Sequence, residues 1–283
     1  MYGDRSAQQA IHGCASDAIQ KILATKRTAE LADPANPRDP ANAFFRFEGT
    51  LLRMAFHDAG TWDCDSGRGG ANGSLRFPEE VDQPANAGMR DGVLALVEEW
   101  EALKAAGCGV TFADLIQIAG AEACFFTGLP RFTVPIGRRD ATGPDLSTTH
   151  ALPGTSTNIE DLKRIFRANG YSLKVTMNLH DLVALSGAHS IGVSRTHPKL
   201  GPMDGTPDNF DNVYYRELVK DGCMKNVNGN NFCSDSALLD HVDTAALVVS
   251  YRLSNGLWYR DFTNSYIKMG KMGVNGEGTM GPL

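Results

Sequence analysis

Residues 51–58 read Leu-Leu-Arg-Met-Ala-Phe-His-Asp, an apolar stretch of helical character that carries an arginine and a histidine. Positions four apart share one face of an α-helix, so Arg53 and His57 point the same way, with Phe56 beside them. A guanidinium on a largely apolar helix is costly unless something there needs a fixed positive charge. Taken alone, Arg53 could extend to water and His57 could bond a carbonyl, which would be a structural role.

A second stretch makes a functional role more specific. Residues 180–192 read His-Asp-Leu-Val-Ala-Leu-Ser-Gly-Ala-His-Ser-Ile-Gly, which predicts another apolar helix running to about His189. The residues beside His189 are small, so a flat and bulky group could approach the backbone there. Each histidine alone would fit a packed core, but the two stretches together are far more specific.

The two stretches together resemble the haem peroxidase superfamily of plants, fungi and bacteria, and the resemblance extends to about Met269. It implies an all-α, two-lobed fold with haem b between a distal and a proximal domain. It also implies one peroxidase domain over residues 1–283, with a distal lobe at about 1–145 and a proximal lobe at about 146–270 against which the last helix packs back. An ascorbate-peroxidase-related or hybrid type, mixing features of the intracellular and secreted groups, is the nearest description.

The resemblance assigns the distal catalytic residues. His57 would take a proton from hydrogen peroxide and return it, acting as base and then acid. Arg53 would stabilise the negative charge that develops as the O–O bond breaks, beside the distal aromatic Phe56. Asn86 would accept a hydrogen bond from His57, with Glu80 supporting this network. The alternative for Asn86 is a helix cap.

The resemblance also assigns the proximal residues. His189 would be the axial ligand of the haem iron, and Asp235 would accept the hydrogen bond from its free nitrogen. The alternative for Asp235 is an N-cap for a helix at 236–252. Pro153 would lie near the haem edge, and Met203 occupies the position of a proximal tryptophan in the intracellular group.

Two oxygen-rich loops predict calcium sites, since calcium prefers hard oxygen ligands. The alternative for the distal site is a loop held by hydrogen bonds alone. The alternatives for the proximal site are an Asx-rich turn and the monovalent ion that the resemblance to ascorbate peroxidases implies, although the charge of Asp204 favours calcium. The predicted distal ligands are Asp58, Gly70, Asn72 and Ser74, and the predicted proximal ligands are Ser190, Asp204, Thr206, Asn209 and Asp211.

The electron donor is reached by elimination. Phe45, Phe47 and Pro198 stand where related ascorbate-oxidising enzymes have basic or thiol residues, and Arg46 and Thr50 stand where a manganese site would need acids. Small phenols are therefore the expected aromatic reductants. The alternatives are ascorbate-type peroxide scavenging, a haem-binding sensor without turnover, and a helical interaction module without a cofactor.

Composition limits the partners. The chain has 283 residues, a formal net charge of −6 and no basic run, which argues against nucleic acid. It has no apolar run of about 18 residues, so no membrane span is expected. The polar residues 1–9 lack a signal-peptide core. Hydrogen peroxide and a small aromatic reductant are the expected partners of a monomer.

The chain has six cysteines. Cys223 and Cys233 flank an Asn- and Gly-rich loop that a bridge could close, and the family resemblance suggests a bridge between Cys14 and Cys108. Cys64 and Cys124 have no evident partner. Two bridges would favour an oxidising compartment and a secreted protein, with a plastid or another organelle as the alternative.

Hydrophobic periodicity predicts the helices. Helices are expected at about 8–31, 45–58, 88–106, 111–128, 158–169, 236–252 and 256–273, besides the one that leads to His189.

The resemblance also suggests a structural ion pair between Asp114 and Arg139.

Overall fold

The computed structural model describes most of the chain, namely residues 5–32, 46–63, 66–146, 152–154, 157–169, 177–193, 201–226 and 229–274. Within these ranges the regular structure is helical apart from one two-stranded antiparallel hairpin, which confirms the all-α class. The α-helices are α1 (Arg5–Ala32), α2 (Phe47–Ala59), α3 (Pro78–Val81), α4 (Arg90–Ala105), α5 (Phe112–Phe126), α6 (Ile159–Asn169), α7 (Leu179–Ser186), α8 (Val213–Asp221), α9 (Val242–Leu253) and α10 (Asn255–Met269). The hairpin pairs β1 (Met224–Lys225) with β2 (Asn231–Phe232).

Helix α5 forms the centre of the first half of the structure. Every residue from Phe112 to Cys124 is buried, and both α1 and α2 pack against this helix. Gly120 permits the close approach, since a Cβ at this position would lie 2.8 Å from the Cβ of Ala55 and 2.2 Å from the hydroxyl of Tyr266. The helix that carries Arg53 and His57 is thereby held against a rigid core.

Aromatic side chains fill the core of the second half. Phe210 stacks on Trp258 at 4.7 Å between ring centroids, and Trp258 Nε1 donates to the carbonyl of Ala184, which joins α10 to α7. Aromatic pairs of this kind each contribute about 0.5–1.5 kcal/mol beyond their buried area. The buried aromatic residues of this cluster are Phe210, Tyr214, Tyr215, Tyr251, Trp258, Phe262 and Tyr266.

The end of α10 contacts the first half of the chain. The hydroxyl of Tyr266 donates to the carbonyl of Gln117 at 2.8 Å, and Ala71 N–H donates to the carbonyl of Met272 at 3.0 Å. The chain after α10 therefore lies against the loop that follows α2. The division into a distal and a proximal lobe stays a prediction.

Two helices differ from the sequence expectation. Helix α7 ends at Ser186, and His189 lies on a 3₁₀ turn, Gly187–Ile191, rather than on the α-helix itself. The helix expected at 236–252 is split into a 3₁₀ turn at Ser236–Leu239 and helix α9. Helix α8 and the hairpin lie in a stretch for which no helix or strand was predicted.

Two disulfide bonds are present among the described residues. Cys14 bonds Cys108 with an S–S distance of 1.98 Å, and Cys223 bonds Cys233 at 2.02 Å, so both expected pairs form. Cys124 is a buried free thiol, and Cys64 lies outside the described residues. Within the described ranges, no helix combines the length and the apolar character needed to cross a bilayer.

The expected ion pair between Asp114 and Arg139 is wrong, because the neighbouring arginine takes this place. Arg138 Nη1 donates to Asp114 Oδ1 at 2.8 Å, and both side chains are fully buried. Arg138 Nε also donates to the carbonyl of Gly270, while Arg139 is exposed. Burial alternates along residues 134–139, which form no helix or strand, so that Arg138 faces the core and Arg139 faces solvent.

This ion pair predicts a large difference between two adjacent arginines. We expect Arg138→Met to lower the free energy of unfolding by about 3–5 kcal/mol, because it leaves the buried Asp114 carboxylate without its cationic partner. Arg139→Met is the matched control, and its effect should stay within about 0.5 kcal/mol, as for other exposed positions. Denaturant unfolding measures both variants. Equal losses in the two would show that the buried pair does not stabilise the fold.

Candidate active site

A single cavity brings the two sequence stretches together. It has a volume of about 700 Å³ and is lined by Arg53, Phe56 and His57 from α2 and by His189 from the 3₁₀ turn after α7. Most of its other walls are apolar, as at Leu52, Leu182, Leu185, Leu238 and Phe262. Large, mainly apolar cavities with a few convergent polar groups are typical cofactor sites.

Arg53 and His57 are in direct contact. Arg53 Nε lies 3.2 Å from His57 Nε2 and donates to it, as the shared helix face predicts. The guanidinium also donates from Nη1 to the carbonyl of Ala87 at 2.7 Å and from Nη2 to the carbonyl of Ala85 at 2.8 Å. Two carbonyls that the sequence did not single out thus hold the arginine at the cavity wall.

Asn86 fixes the protonation state of His57. The His57 Nδ1 atom lies 2.8 Å from Asn86 Oδ1, which is an acceptor, so Nδ1 carries the proton and Nε2 is the free base. Burial, and then the charge of Arg53, lower the pKa of His57 to about 3, although the bond to Asn86 acts in the opposite direction. His57 is therefore neutral over the whole physiological pH range.

Glu80 supports this network through its backbone. Its backbone carbonyl accepts a hydrogen bond from Asn86 Nδ2 at 2.8 Å, which orients the asparagine. Its carboxylate bonds the hydroxyl of Ser74 at 3.1 Å and the backbone N–H of Asp145 at 2.7 Å instead. The acidic group therefore supports the loop around Asn86 rather than His57 itself.

His189 is held by Asp235, as the sequence predicted. Its Nδ1 lies 2.6 Å from Asp235 Oδ2, and Asp235 makes no side-chain cap to the following turn, so the capping alternative is wrong. The same carboxylate oxygen accepts a second hydrogen bond, from the hydroxyl of Tyr214 at 2.9 Å. Burial alone would lower the pKa of His189, but the charge and hydrogen bond of Asp235 outweigh it, so this pKa is raised.

The cavity fits a haem group on three grounds. Its apolar walls suit a flat macrocycle, and its size matches a large cofactor. The bond from Nδ1 to Asp235 leaves Nε2 of His189 as the nitrogen that can bind iron. The His189 side chain is 43% exposed despite its interior position, which is where a ligand would cover it. Pro153 and Met203 also line the cavity.

The distal loop is largely satisfied by hydrogen bonds between its own residues. Asn72 donates from Nδ2 to Asp145 and accepts from the N–H of Ser74, whose hydroxyl bonds Glu80. Asp58 Oδ2 accepts from the N–H of Gly73, while Asp58 Oδ1 is buried with no partner among the described residues. Burial raises the pKa of Asp58 to about 8.

The N–H of Gly70 donates to Thr61 Oγ1 at 3.1 Å. Of the predicted distal ligands, only Asp58 offers a buried side-chain oxygen without a partner in the described part of the chain. These contacts favour the loop held by hydrogen bonds over the distal calcium site.

Among the described residues, the proximal loop has more buried side-chain oxygen atoms without a hydrogen-bond partner than the distal loop has. Ser190 Oγ and Asp204 Oδ2 are both buried and have no hydrogen-bond partner in the described ranges. Thr206 Oγ1 lies 3.1 Å from Asp204 Oδ1 and 3.0 Å from Asp211 Oδ1, which gathers three of the predicted ligands. Burial raises the pKa of Asp204 to about 8, so the carboxylate lacks a compensating positive charge.

Asn209 is exposed, and its backbone N–H donates to the carbonyl of Thr206. The described residues contain no group of three His, Cys, Asp or Glu side chains that could hold a metal ion. A cation at this loop would therefore depend on the hydroxyls of Ser190 and Thr206 besides the two carboxylates.

An ion pair at the cavity wall was not foreseen. Arg46 is almost completely buried, lines the cavity and forms an ion pair with Asp208 of the proximal loop. Thr50 also lines the cavity, and Phe47 is buried in the core. Asp208 sits inside the oxygen-rich loop, but the sequence gives no sign that it would pair with an arginine 162 positions earlier.

Comparisons with known proteins agree with this geometry. A family model described as peroxidase matches residues 38–254. L-ascorbate peroxidase 3 of Arabidopsis thaliana is 35% identical over 238 residues, which cover 82% of this chain and 76% of that protein. The probable peroxisomal L-ascorbate peroxidase 3 of Oryza sativa subsp. japonica is 35% identical over 79% of this chain and 72% of its own length. The peroxisomal L-ascorbate peroxidase 5 of A. thaliana is 35% identical, with 80% and 76% covered.

Proposed function

The chain belongs to the haem peroxidase superfamily of plants, fungi and bacteria and is a haem-dependent enzyme that reduces hydrogen peroxide, and we propose that ascorbate is its preferred electron donor. One observation supports the assignment of the reacting residues. His57 and His189 line the same cavity, and each has one ring nitrogen held by a neighbour so that the other is available. A haem-binding protein without turnover would need only the second histidine.

His57 would move the proton of the substrate. Its Nε2 atom is unprotonated, so it can accept the proton from one oxygen of hydrogen peroxide and return it to the other, which then leaves as water. Asn86 holds the proton on Nδ1 throughout and prevents the ring from turning. A pKa of about 3 keeps His57 unprotonated at Nε2 at neutral pH.

Arg53 would stabilise the negative charge that develops on the departing oxygen. Its Nε–H contacts His57 Nε2, so peroxide must take over this contact when it binds between them. The carbonyls of Ala85 and Ala87 hold the guanidinium in place and limit the reorganisation that the reaction requires.

His189 would hold the haem iron through Nε2, with Asp235 as the acceptor that strengthens its donation. The haem, when bound, would supply the redox chemistry, which is a two-electron oxidation by peroxide followed by one-electron reductions by the donor.

The distal assignment predicts the outcome of two substitutions. We expect His57→Leu to bind haem normally, because His189 and Asp235 are unchanged, but to react with peroxide about 10²–10⁴-fold more slowly. Asn86→Val should give a smaller loss, because it keeps the base but frees its orientation. Stopped-flow absorbance at the Soret band measures the rate, with haem content as the control.

The same assignment predicts the pH dependence. The folded pKa of His57 is depressed, so the neutral base should persist as the pH falls, and the rate with peroxide should stay nearly constant from pH 8 to pH 5. A wild-type rate in His57→Leu would rule out His57 as the base.

The donor is inferred from the relatives and from the charge of the cavity. The curated relatives reported above are named ascorbate peroxidases. Among the described residues that line the cavity, Arg46 and Arg53 are the guanidinium groups and Asp235, which is bound to His189, is the carboxylate. Arg46 is ion-paired with Asp208, but its guanidinium still lines the cavity and can contact an anionic donor such as ascorbate, and the lining has too few acids for a manganese site.

Small phenols remain the second candidate. Pro153 lies at the cavity, where the sequence resemblance implies contact with aromatic donors. Three residues speak against ascorbate by their sequence positions, and two of them, Phe45 and Pro198, lie outside the described residues. The third, Phe47, is buried in the core and does not line the cavity.

Matched donor assays decide between these candidates. We expect the haem-loaded enzyme to have a higher kcat/KM for ascorbate than for guaiacol at the same peroxide concentration. Arg46→Met should lower kcat/KM for ascorbate more than for guaiacol, because it removes a positive charge from the cavity wall. Asp208→Asn is the control, since it breaks the same ion pair but keeps the guanidinium. Faster turnover of guaiacol than of ascorbate by the wild-type enzyme would favour the phenolic donor.

A calcium ion at the proximal loop is the further part of this proposal. Its support is the pair of buried oxygens on Ser190 and Asp204 that have no partner in the described part of the chain, together with the nearby Thr206 and Asp211. Calcium accepts six to eight oxygen ligands, and hydroxyl and carbonyl groups can complete such a set. The distal loop, with its amide and hydroxyl already paired, is not included.

Elemental analysis of protein purified without chelators tests this calcium site. We expect a single calcium ion per chain in the wild type and in Asp58→Asn, and its loss in Asp204→Asn, because only the proximal carboxylate would be a ligand. Calcium-free wild-type protein, or loss of the ion in Asp58→Asn alone, would contradict the proximal assignment.

A further inference from the structure

Three tyrosine rings lie in contact between the proximal carboxylate and the protein surface. Tyr214 contacts Tyr215 with ring centroids 4.7 Å apart, and Tyr215 contacts Tyr251 at 5.2 Å. The His189 ring lies 6.4 Å from the ring of Tyr214. All three tyrosines are completely buried. Aromatic rings in van der Waals contact couple well electronically, so this row joins the cavity to a distant site.

The two ends of the row differ from its middle in their hydrogen bonds. The hydroxyl of Tyr214 donates to the carboxylate of Asp235 at 2.9 Å, and that of Tyr251 donates to Asp261 Oδ2 at 3.2 Å. The middle hydroxyl, on Tyr215, donates to the carbonyl of Val183 at 2.7 Å. Carboxylates can accept a proton outright, whereas a backbone carbonyl cannot hold one.

This difference decides where an oxidised tyrosine can form. A phenol that loses an electron becomes a very strong acid and must lose its proton to persist as a neutral radical. Burial, and then neighbouring ionisable groups, raise the pKa of Tyr214 and Tyr251, so both begin as protonated phenols. Tyr215 has no proton acceptor of this kind and can only pass an electron along the row.

The outer end of the row opens toward solvent. The hydroxyl of Tyr251 also lies 3.3 Å from His180 Nε2, and this nitrogen lies 3.2 Å from Asp261 Oδ2. The His180 side chain is 44% exposed, and Arg260, which bonds Asp261 Oδ1 at 2.9 Å, is 67% exposed. A proton leaving Tyr251 therefore has two acceptors, one of which reaches the surface.

We propose that Tyr251 is a redox-active residue that delivers an electron through Tyr215 and Tyr214 to the peroxide-oxidised active site. The inference rests on the peroxide reaction described above, which supplies the oxidant. In this step the Tyr251 O–H bond breaks, its proton passes to Asp261 or His180, and its electron reduces the oxidised cofactor by one equivalent. No bond between heavy atoms forms. A one-electron donor at the surface then returns the electron, and the proton comes back to the phenolate oxygen.

This route gives the enzyme a second site of oxidation. The cavity admits only small donors, whereas the surface beside His180 and Arg260 is open to one-electron reductants too large to enter it, such as phenols attached to a polymer. Asp235 would then have two functions, holding His189 and accepting the proton when Tyr214 passes an electron on.

Electron paramagnetic resonance of the haem-loaded enzyme tests the proposal. Samples are mixed with one equivalent of hydrogen peroxide without a donor and frozen rapidly, and ring-deuterated tyrosine identifies a tyrosyl signal by its narrowed lines. We expect this signal in the wild type and in Tyr215→Phe, which keeps the middle ring. We expect a large decrease of the signal in Tyr251→Phe, which removes only the phenolic hydroxyl, and its loss to background when Tyr214→Phe is added, because Tyr214 is the other tyrosine of the row whose hydroxyl donates to a carboxylate.

A second measurement does not depend on the folding of a variant. A nitroso spin trap added to the wild-type reaction should leave its adduct on the peptide that contains Tyr251, as read by mass spectrometry. Absence of a tyrosyl signal in the wild type, or an undiminished signal in Tyr251→Phe with no adduct at Tyr251, would overturn the proposal. The Soret change recorded in the same mixing experiment separates this outcome from a failure of the peroxide reaction, which would overturn both.

Discussion

The carboxylate of Asp235 is the constraint on which the centre of this structure depends. Its Oδ2 atom binds His189 at 2.6 Å and the hydroxyl of Tyr214 at 2.9 Å, so a single oxygen sets the tautomer of one side chain and the position of another. His189 lies on a short 3₁₀ turn rather than on a full helix, and such a turn does not fix a side chain by itself. The hydrogen bond does so, and it leaves Nε2 as the nitrogen available to the cavity.

The wall of the cavity that carries Arg53 and His57 is held in place in a different way from the turn that carries His189. Arg53 and His57 belong to one helix that is pressed against the buried helix α5, and a hydrogen bond between them is set by their spacing alone. Asn86 comes from a separate loop and removes the remaining freedom of the imidazole ring. A low pKa follows from the same arrangement, because burial and a guanidinium both disfavour a second positive charge.

Much of the site could be predicted because its central contacts are local or belong to a recognisable motif. The pairing of Arg53 with His57 follows from helical periodicity, and the bond between His189 and Asp235 follows from the family resemblance. The ion pair of Arg138 with Asp114 was missed, because two adjacent arginines in a segment without helix or strand differ only in which one faces the core, and the sequence does not give that register. The bond from Tyr214 to Asp235 was missed because helix α8 has only nine residues and directly follows the oxygen-rich loop, so its buried side chains, Tyr214, Tyr215 and Leu218, were not recognised as one helix face.

Buried ionisable groups in the interior are accommodated in three ways, and the differences bear on function. Asp114 is fully buried but has Arg138 and two backbone N–H donors, so it contributes to stability without any ligand. Asp204 is buried with an unpartnered oxygen and a raised pKa, which is costly unless something compensates it. Tyr251 and Asp261 represent a third case, in which a buried phenol has a carboxylate and a half-exposed histidine within reach. A phenylalanine could pack against Tyr215 in the same way, so the hydroxyl of Tyr251 and its two proton acceptors favour a role in moving an electron and a proton.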